Sequence, residues 1–170
     1  MSLLLRHDPT RFAVTLDEAG WADVASVVAG LRAAGFDVDR GSITTIVRTD
    51  EKGRYALSPD GSRVRATQGH SVAVDLGLVP TTPPDVLYHG TVQRFVESIR
   101  RDGLLPRARR FVHLSATKDA AAAVGRRRGS PVILVIDAAA MHRDGIALRV
   151  SENGVWLAER VPPTYIRVVQ

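Results

Sequence analysis

Three prolines within five residues constrain this chain more than any other feature of its sequence. They stand in the segment Val79-Pro80-Thr81-Thr82-Pro83-Pro84. Proline lacks the backbone N–H that a helix interior or a central strand requires, so neither element can run through this segment. We therefore predict a linker at residues 80–84, between one domain at residues 1–79 and a second at residues 85–170. Lobes of about 80 residues are small but can fold when they pack together.

The composition places the chain among globular proteins. Hydrophobic residues make up 45% and charged residues 24% of its 170 residues, which excludes a disordered chain. The sequence contains no cysteine, which excludes disulfides, thiol catalysis and cysteine-ligated metals. It has no apolar run of the roughly 20 residues that are needed to cross a bilayer. The apolar run near its N-terminus is too short for a secretory signal. We therefore expect a soluble, cytoplasmic protein with no membrane partner.

The positive charge is carried almost entirely by arginine. The chain has 23 Lys+Arg against 18 Asp+Glu, and only Lys52 and Lys118 are lysines. Arginine presents a planar fork that matches phosphate, so the composition is consistent with a phosphate-bearing partner, although a genomic preference for arginine would give the same count. Residues 1–80 have 9 basic and 10 acidic residues, a net of −1, whereas residues 81–170 have 14 and 8, a net of +6. A phosphate partner of the first lobe would therefore depend on a few placed arginines.

Hydrophobic spacing in the first lobe predicts two helices followed by a β-hairpin. Apolar side chains recur at the helical period at Val24, Val27, Val28 and Leu31. The predicted elements are a helix over Trp21–Ala34 stopped by Gly35, a turn over Asp37–Gly41, a helix capped by Ser42 that runs to about Arg48, and strands over Arg54–Leu57 and Arg63–Gln68 around the turn Ser58–Gly61. This order is typical of a winged helix, which often binds nucleic acid.

Short strands dominate the second lobe. The continuous apolar run Pro131–Asp137 is typical of a strand that is buried on both faces. The other predicted elements are strands over Val86–His89, Arg110–Leu114, Ile146–Val150, Val155–Ala158 and Tyr165–Val169, and helices over Arg94–Asp102 and from Thr117, as cap, to about Arg126. This predominance of strands favours an α+β sheet sandwich over a doubly wound fold.

Arginines and histidines of the first lobe fall where they could bind an anion. Arg6-His7 could grip a phosphate and manage its proton, although such residues are also common at solvated helix ends. Arg63 and Arg65 would share one face of a strand, because side chains alternate along it. The same residues could equally form only a polar wing tip.

Two histidines of the second lobe each end a predicted strand. His89 and His113 could therefore face one cleft, and Gly90 would let a ligand approach the backbone closely. The three consecutive arginines Arg126–Arg128 could form an anion clamp or a solvated loop.

Several enzyme classes are excluded by missing motifs. No HxH or HxxxH spacing occurs and no carboxylate adjoins either histidine, so we predict no metal site and no zinc hydrolase. The sequence also has no P-loop and no GxGxxG motif, which speaks against a kinase and a Rossmann dehydrogenase.

Taken together, these segments resemble the NAD-dependent RNA (tRNA) 2′-phosphotransferases. The matching pieces are LLRHDP, RVRATQGHS, LYHGT, FVHLSAT, VGRRRG with PVILVID, and SENGVWL. Each piece alone is a weak signal, but the set occurs in the order of the family and covers nearly the whole chain.

The resemblance implies a fold and a reaction. The implied fold is an N-terminal winged-helix lobe that holds RNA and a C-terminal ADP-ribosyltransferase-like β-sandwich lobe that holds NAD+, the co-substrate. An internal RNA 2′-phosphate would attack C1″ of the nicotinamide ribose and expel nicotinamide. The ribose O2″ would then attack phosphorus, which releases 2′-hydroxyl RNA and ADP-ribose 1″,2″-cyclic phosphate. The implied protein is a monomer whose partners are NAD+ and RNA with an internal 2′-phosphate.

The resemblance also implies the site residues. It places the catalytic set at Arg6, His7, Arg65 and Arg127. It places NAD contacts at His89, Gly90, Thr91, His113, Leu114 and Ser115. It places RNA contacts at Arg63, Gln68, His70 and Ser71, and it implies no metal. Two other functions stay open at this point, an ADP-ribosyltransferase that modifies nucleic-acid ends or protein and a winged-helix protein that binds nucleic acid without catalysis.

Overall fold

The computed structural model describes residues 1–169 and divides the chain into two compact units. The first unit spans Met1–Gly77, so it ends two residues before the predicted boundary, and the second begins at Leu78. Helices and small antiparallel sheets occur in both units, which agrees with the predicted α+β class. Within residues 1–169, no helix is long and apolar enough to cross a membrane.

The first unit combines three helices with a three-stranded antiparallel sheet in the order β1-β3-β2. Its elements are α1 (Ser2–Arg6), a 3₁₀ turn (Thr10–Phe12), β1 (Trp21–Asp23), α2 (Val24–Ala33), α3 (Arg40–Thr49), β2 (Tyr55–Leu57) and β3 (Arg63–Ala66). Its core includes Leu4, Leu5, Val27, Ile43 and Val64, which are fully buried. The predicted hairpin is confirmed, because β2 and β3 pair around Ser58–Gly61.

Two predicted helix starts in this unit are wrong, and in both cases an aspartate is the reason. The Asp23 carboxylate accepts the Ser26 N–H at 2.8 Å, so α2 begins after Asp23 and Trp21–Asp23 forms a strand that pairs with β3. The Asp39 carboxylate likewise accepts the Ser42 N–H at 2.7 Å, while the Ser42 hydroxyl accepts the Asp39 N–H. Ser42 is therefore the reciprocal partner in a capping box and not the cap itself.

The second unit contains two three-stranded antiparallel sheets, β4-β6-β9 and β5-β8-β7. Its elements are β4 (Val86–Val92), α4 (Val96–Asp102), β5 (Val112–Leu114), α5 (Lys118–Gly125), β6 (Pro131–Asp137), α6 (Ala138–Arg143), β7 (Leu148–Val150), β8 (Trp156–Ala158) and β9 (Ile166–Val169), with 3₁₀ turns at Gln93–Phe95, Arg126–Arg128 and Pro163–Tyr165. Its core includes Leu87, Leu114, Leu134, Met141 and Leu148. The backbones of Tyr88 and Ser115 exchange two hydrogen bonds, of 2.9 and 2.7 Å, which join β4 to the end of β5.

Most strands predicted in this unit are present, with shifted ends, and the Thr117 cap of α5 is confirmed. The strand β6 is less buried than predicted, since Leu134 and Ile136 are buried whereas the residues on either side of them are half-buried. The helix α6 was not predicted, because Asp137 both ends β6 and caps the helix that follows it at once. Thr81 donates its N–H to the Leu148 carbonyl at 2.8 Å, so the start of the predicted linker lies against β7.

Candidate functional site

The first unit holds Arg6 and His7 at the end of α1, against a segment more than 60 residues away in sequence. The carbonyl of Arg6 accepts the N–H groups of Ser71 and Val72, at 2.8 and 3.4 Å. The Arg6 residue is only 6% exposed, whereas His7 is exposed. Arg6 stands in the last turn of a helix, where the negative end of the helix dipole favours a cation.

The guanidinium of Arg6 is held from three sides. Its Nη2 donates to the Arg54 carbonyl at 3.3 Å, and its Cζ lies 5.8 Å from the centre of the Tyr55 ring. Gly69 lies on its third side, where an added Cβ atom would be 3.4 Å from Nη1 of Arg6. Arg54 also lies over Tyr55, and it donates two side-chain hydrogen bonds to Asp50, which lowers the pKa of that carboxyl. Sequence reasoning did not single out Arg54.

The imidazole of His7 contacts a side chain of the same distant segment. Its Nδ1 lies 3.0 Å from the Ser71 hydroxyl oxygen, and both residues are exposed. The structure thus brings together two predicted catalytic residues, Arg6 and His7, and one predicted RNA contact.

The neighbouring His70 lies beneath this cluster instead of on its surface. It is 4% exposed, and its Nε2 has no hydrogen-bond partner among residues 1–169. Burial, followed by the positive charges of Arg6, His7 and Arg65, lowers the pKa of His70 to about 4. His70 is therefore buried where a surface contact was predicted, and its contact with RNA stays a prediction. Gln68 is half-buried and Ser71 is exposed.

Arg63 and Arg65 lie on one face of β3, as predicted. Both guanidinium groups stack on Trp21, with Cζ atoms 5.4 and 4.5 Å from its ring centre. Trp21 lies directly opposite Arg65 in the sheet, and Arg63 also pairs with Asp17 at 3.4 Å. Sequence reasoning missed Trp21 as a partner of these arginines because it assigned Trp21 to a helix.

The second unit brings the two predicted histidines together. The Nδ1–H of His89 donates to the His113 carbonyl at 2.9 Å. Burial lowers the pKa of His89, the hydrogen bond to His113 opposes that shift, and the charge of Arg128 adds to it. The two strands therefore contact each other at their histidines, but His89 and His113 lie within β4 and β5 and not at the strand ends as predicted.

Arg109 is a neighbour of these histidines that sequence reasoning did not select. Its Nη1 lies 3.4 Å from Nδ1 of His113. Partial burial, followed by the charges of Arg128 and Arg127, lowers the pKa of Arg109. Arginine stays charged in any case, and the smaller contributions of Arg128 and Arg127 to this shift place three positive charges near one another. Arg127 and Arg128 are exposed in the 3₁₀ turn that follows α5, and the run Arg107-Ala108-Arg109-Arg110 before β5 was the signal available in the sequence.

The other predicted NAD contacts lie in or next to β4 and β5 and make packing or backbone contacts. A Cβ atom at Gly90 would lie 1.8 Å from the Ala121 carbonyl oxygen, so glycine at this position lets the helix α5 approach β4 closely. Thr91 and Leu114 are 5% and 1% exposed. Ser115 contributes the backbone bonds to Tyr88 described above. Polar side chains therefore enter this cluster from His89, His113 and the arginines.

Among residues 1–169, no three His, Asp or Glu side chains are grouped so that they could hold a metal ion.

Comparison with known proteins finds one family. The model of the "RNA 2'-phosphotransferase, Tpt1 / KptA family" matches residues 1–160. A "Probable RNA 2'-phosphotransferase" of Streptomyces coelicolor is 50% identical over 167 residues, which cover 98% of this chain and 91% of the relative. Proteins of the same description are 51% identical in Pseudomonas aeruginosa PAO1, over 98% of this chain and 92% of the relative, and 48% identical in Agrobacterium fabrum, over 99% and 90%. The similarity spans the residues around Arg6 and His7 and the residues around His89 and His113.

Proposed function

Because the chain belongs to the RNA 2′-phosphotransferase, Tpt1 / KptA family, we propose that it removes an internal 2′-phosphate from RNA by transferring it to NAD+. The observation that carries this proposal is the Arg6–His7 pair. A buried arginine held on three sides stands next to an exposed histidine, and this combination suits a dianion that must be bound in one orientation.

We propose that the first unit binds the RNA. Arg6 and His7 would contact the 2′-phosphate, and Arg65 would add a second guanidinium. Arg63, which stacks on the same tryptophan, would contact the neighbouring backbone phosphate. Because this part of the chain has a net charge near zero, its affinity for RNA would rest on these few groups and depend only weakly on salt.

We propose that the second unit binds NAD+. The positive charge concentrated at Arg109, Arg127 and Arg128 fits a pyrophosphate, and the adjacent His89 and His113 offer ring nitrogens for a ribose or a base. Since Arg109 belongs to the same concentration of charge, it joins Arg127 as a candidate for the anion clamp.

The proposed reaction balances in two steps. A 2′-phosphate oxygen bonds to C1″ of the nicotinamide ribose while the bond from C1″ to the nicotinamide nitrogen breaks. The ribose O2″ then loses its proton and bonds to phosphorus, the bond from phosphorus to the RNA O2′ breaks, and O2′ takes up a proton. The products are nicotinamide, 2′-hydroxyl RNA and ADP-ribose 1″,2″-cyclic phosphate. The first step needs no general base because a phosphate is already anionic near neutral pH, and guanidinium groups would stabilise the charge of both transition states.

The deciding experiment is a product profile. The purified protein is incubated with NAD+ and a short RNA that carries one internal 2′-phosphate, and the same RNA with a 2′-hydroxyl serves as the control. We expect nicotinamide release and loss of the phosphate from the first RNA only. Folded protein without turnover would refute the proposal, and a stable ADP-ribosylated RNA or protein would favour an ADP-ribosyltransferase.

A further inference from the structure

The segment Gly69–Val72 fixes the Arg6–His7 pair, and the proposed reaction assigns no task to its serine. The Ser71 N–H donates to the Arg6 carbonyl at 2.8 Å, while the Ser71 hydroxyl lies 3.0 Å from Nδ1 of His7. One residue thus contacts the backbone of the arginine and the ring of the histidine. A hydroxyl in contact with one imidazole nitrogen determines what the other nitrogen can do.

The direction of the hydroxyl proton follows from the acceptors around it. The Ser71 hydroxyl can donate to the Arg6 carbonyl oxygen at 3.4 Å or to Nδ1 of His7 at 3.0 Å. The carbonyl already accepts the N–H groups of Ser71 and Val72, at 2.8 and 3.4 Å, so the nearer Nδ1 is the better acceptor. The O–H of Ser71 therefore points to Nδ1, and a neutral His7 ring that accepts at Nδ1 carries its proton on Nε2.

We propose that Ser71 is a positioning residue that fixes the orientation and the tautomer of His7. With the proton on Nε2, His7 is a hydrogen-bond donor at that nitrogen and can bind a phosphate oxygen. This part of the inference rests on the proposed function. When the ring gains a second proton, Nδ1–H donates to the Ser71 oxygen and the hydroxyl turns to the Arg6 carbonyl, so the contact persists in both states of the ring.

A purely structural role for Ser71 makes a different prediction. The backbone bond from Ser71 to Arg6 survives the loss of the hydroxyl, and the side chain is exposed, so Ser71→Ala should leave the fold intact. What Ser71→Ala removes is the hydrogen bond to the His7 ring. Ser71→Thr retains a hydroxyl at the same place. Ser26 is a matched control in the same unit, because it is exposed and its N–H still caps α2 when its hydroxyl is removed.

The kinetic test compares kcat and KM for 2′-phosphorylated RNA. We expect Ser71→Ala to lower kcat roughly tenfold, the scale of one hydrogen bond, with little change in KM. Ser71→Thr should restore most of kcat, and Ser26→Ala should match the unaltered protein. A Ser71→Ala protein with full kcat would overturn the proposal and leave the proposed function standing.

The spectroscopic test does not depend on turnover. Long-range ¹H–¹⁵N correlation spectra of the full chain with ¹⁵N-labelled histidine report which nitrogen of each ring carries the proton, and a His7→Gln spectrum identifies the His7 signals. We expect His7 to be protonated at Nε2 with Ser71 present and to become a mixture of tautomers in Ser71→Ala. A proton on Nδ1 in the unaltered protein, or an unchanged tautomer in Ser71→Ala, would refute the inference even if the protein had no activity on RNA.

Discussion

Replacing Gly90 with alanine tests whether the second unit depends on the close approach of α5 to β4. The added Cβ atom would lie 1.8 Å from the Ala121 carbonyl oxygen, 2.7 Å from the Ala121 carbonyl carbon and 3.0 Å from the Gly125 nitrogen. All three atoms belong to the backbone of α5, so no change of side-chain rotamer can relieve the overlap. To reach the shortest separation that real Cβ atoms show, which is 3.0 Å, the helix must move by about 1.2 Å.

The cost of that movement can be bounded from the packing around Gly90. Ala121 is fully buried and Gly125 is itself close to Pro131 and Thr91, so α5 cannot tilt about one end without losing contact at the other. Overpacking of a buried site costs about 1–3 kcal/mol, and a clash with backbone belongs at the upper end. We therefore expect a loss of about 3 kcal/mol in the free energy of unfolding, which corresponds to a fall in Tm on the order of 10 °C.

The matched control is Gly35→Ala in the first unit. Gly35 has φ +88° and nothing within 4 Å of its Cβ position, so alanine there meets only the strain of the left-handed region, about 1 kcal/mol. Urea denaturation followed by circular dichroism compares the two variants with the unaltered protein. If Gly90→Ala loses no more stability than Gly35→Ala, the close approach of α5 is not what requires glycine at this position.

Three further predictions concern the charged clusters. The pKa of His70 is about 4 in the folded state and 6.5 in the unfolded state, so the unfolded chain binds more protons between pH 4 and pH 6.5. The free energy of unfolding should therefore fall by about 3 kcal/mol as the pH drops from 6.5 to 4. Denaturation of His70→Gln over that pH range should lack this part of the loss. Arg65→Ala should lower kcat/KM by the amount that corresponds to a loss of about 3 kcal/mol of transition-state stabilisation. Equal turnover by Arg65→Ala and the unaltered protein would exclude a phosphate contact. Arg54→Ala, assayed in parallel, tests the other arginine beside Arg6. If Arg127 acts mainly in the second step, Arg127→Ala should let ADP-ribosylated RNA accumulate. Unreacted RNA alone would contradict this assignment of Arg127 to the second step. Arg109→Ala, assayed alongside, shows which of the two arginines acts in which step.

Local signals explain what could be predicted from the sequence. The buried face of α2, the cap at Thr117, the β2–β3 hairpin and the long strand β6 each depend on neighbours within a few residues. The predicted start of α2 is also wrong for a local reason. The periodicity of apolar residues continues back to Trp21, so it does not indicate the cap at Asp23. Helical spacing alone cannot say where a helix begins.

The contacts that make up the two clusters are set by tertiary structure. No local pattern indicates that Ser71 contacts the carbonyl of Arg6 or that Arg109 lies beside His113. The resemblance to a known family named several of these residues but not their tasks. Gly90 illustrates the difference, since its lack of a side chain also admits the close approach of α5, which no local pattern indicates.

The hydrogen bond from Thr81 to Leu148 bears on how this protein can be cut into fragments. The strand β7 is an outer strand of its sheet, and Pro80 and Thr81 lie along its exposed side. A fragment that starts after the last proline would leave that side uncovered, and an open strand edge is a template for aggregation. A fragment that starts at Leu78 retains Pro80 and Thr81 along β7. Pro80 and Thr81 thus cover the free edge of β7 within the second unit, and expression of that unit by itself should begin at Leu78.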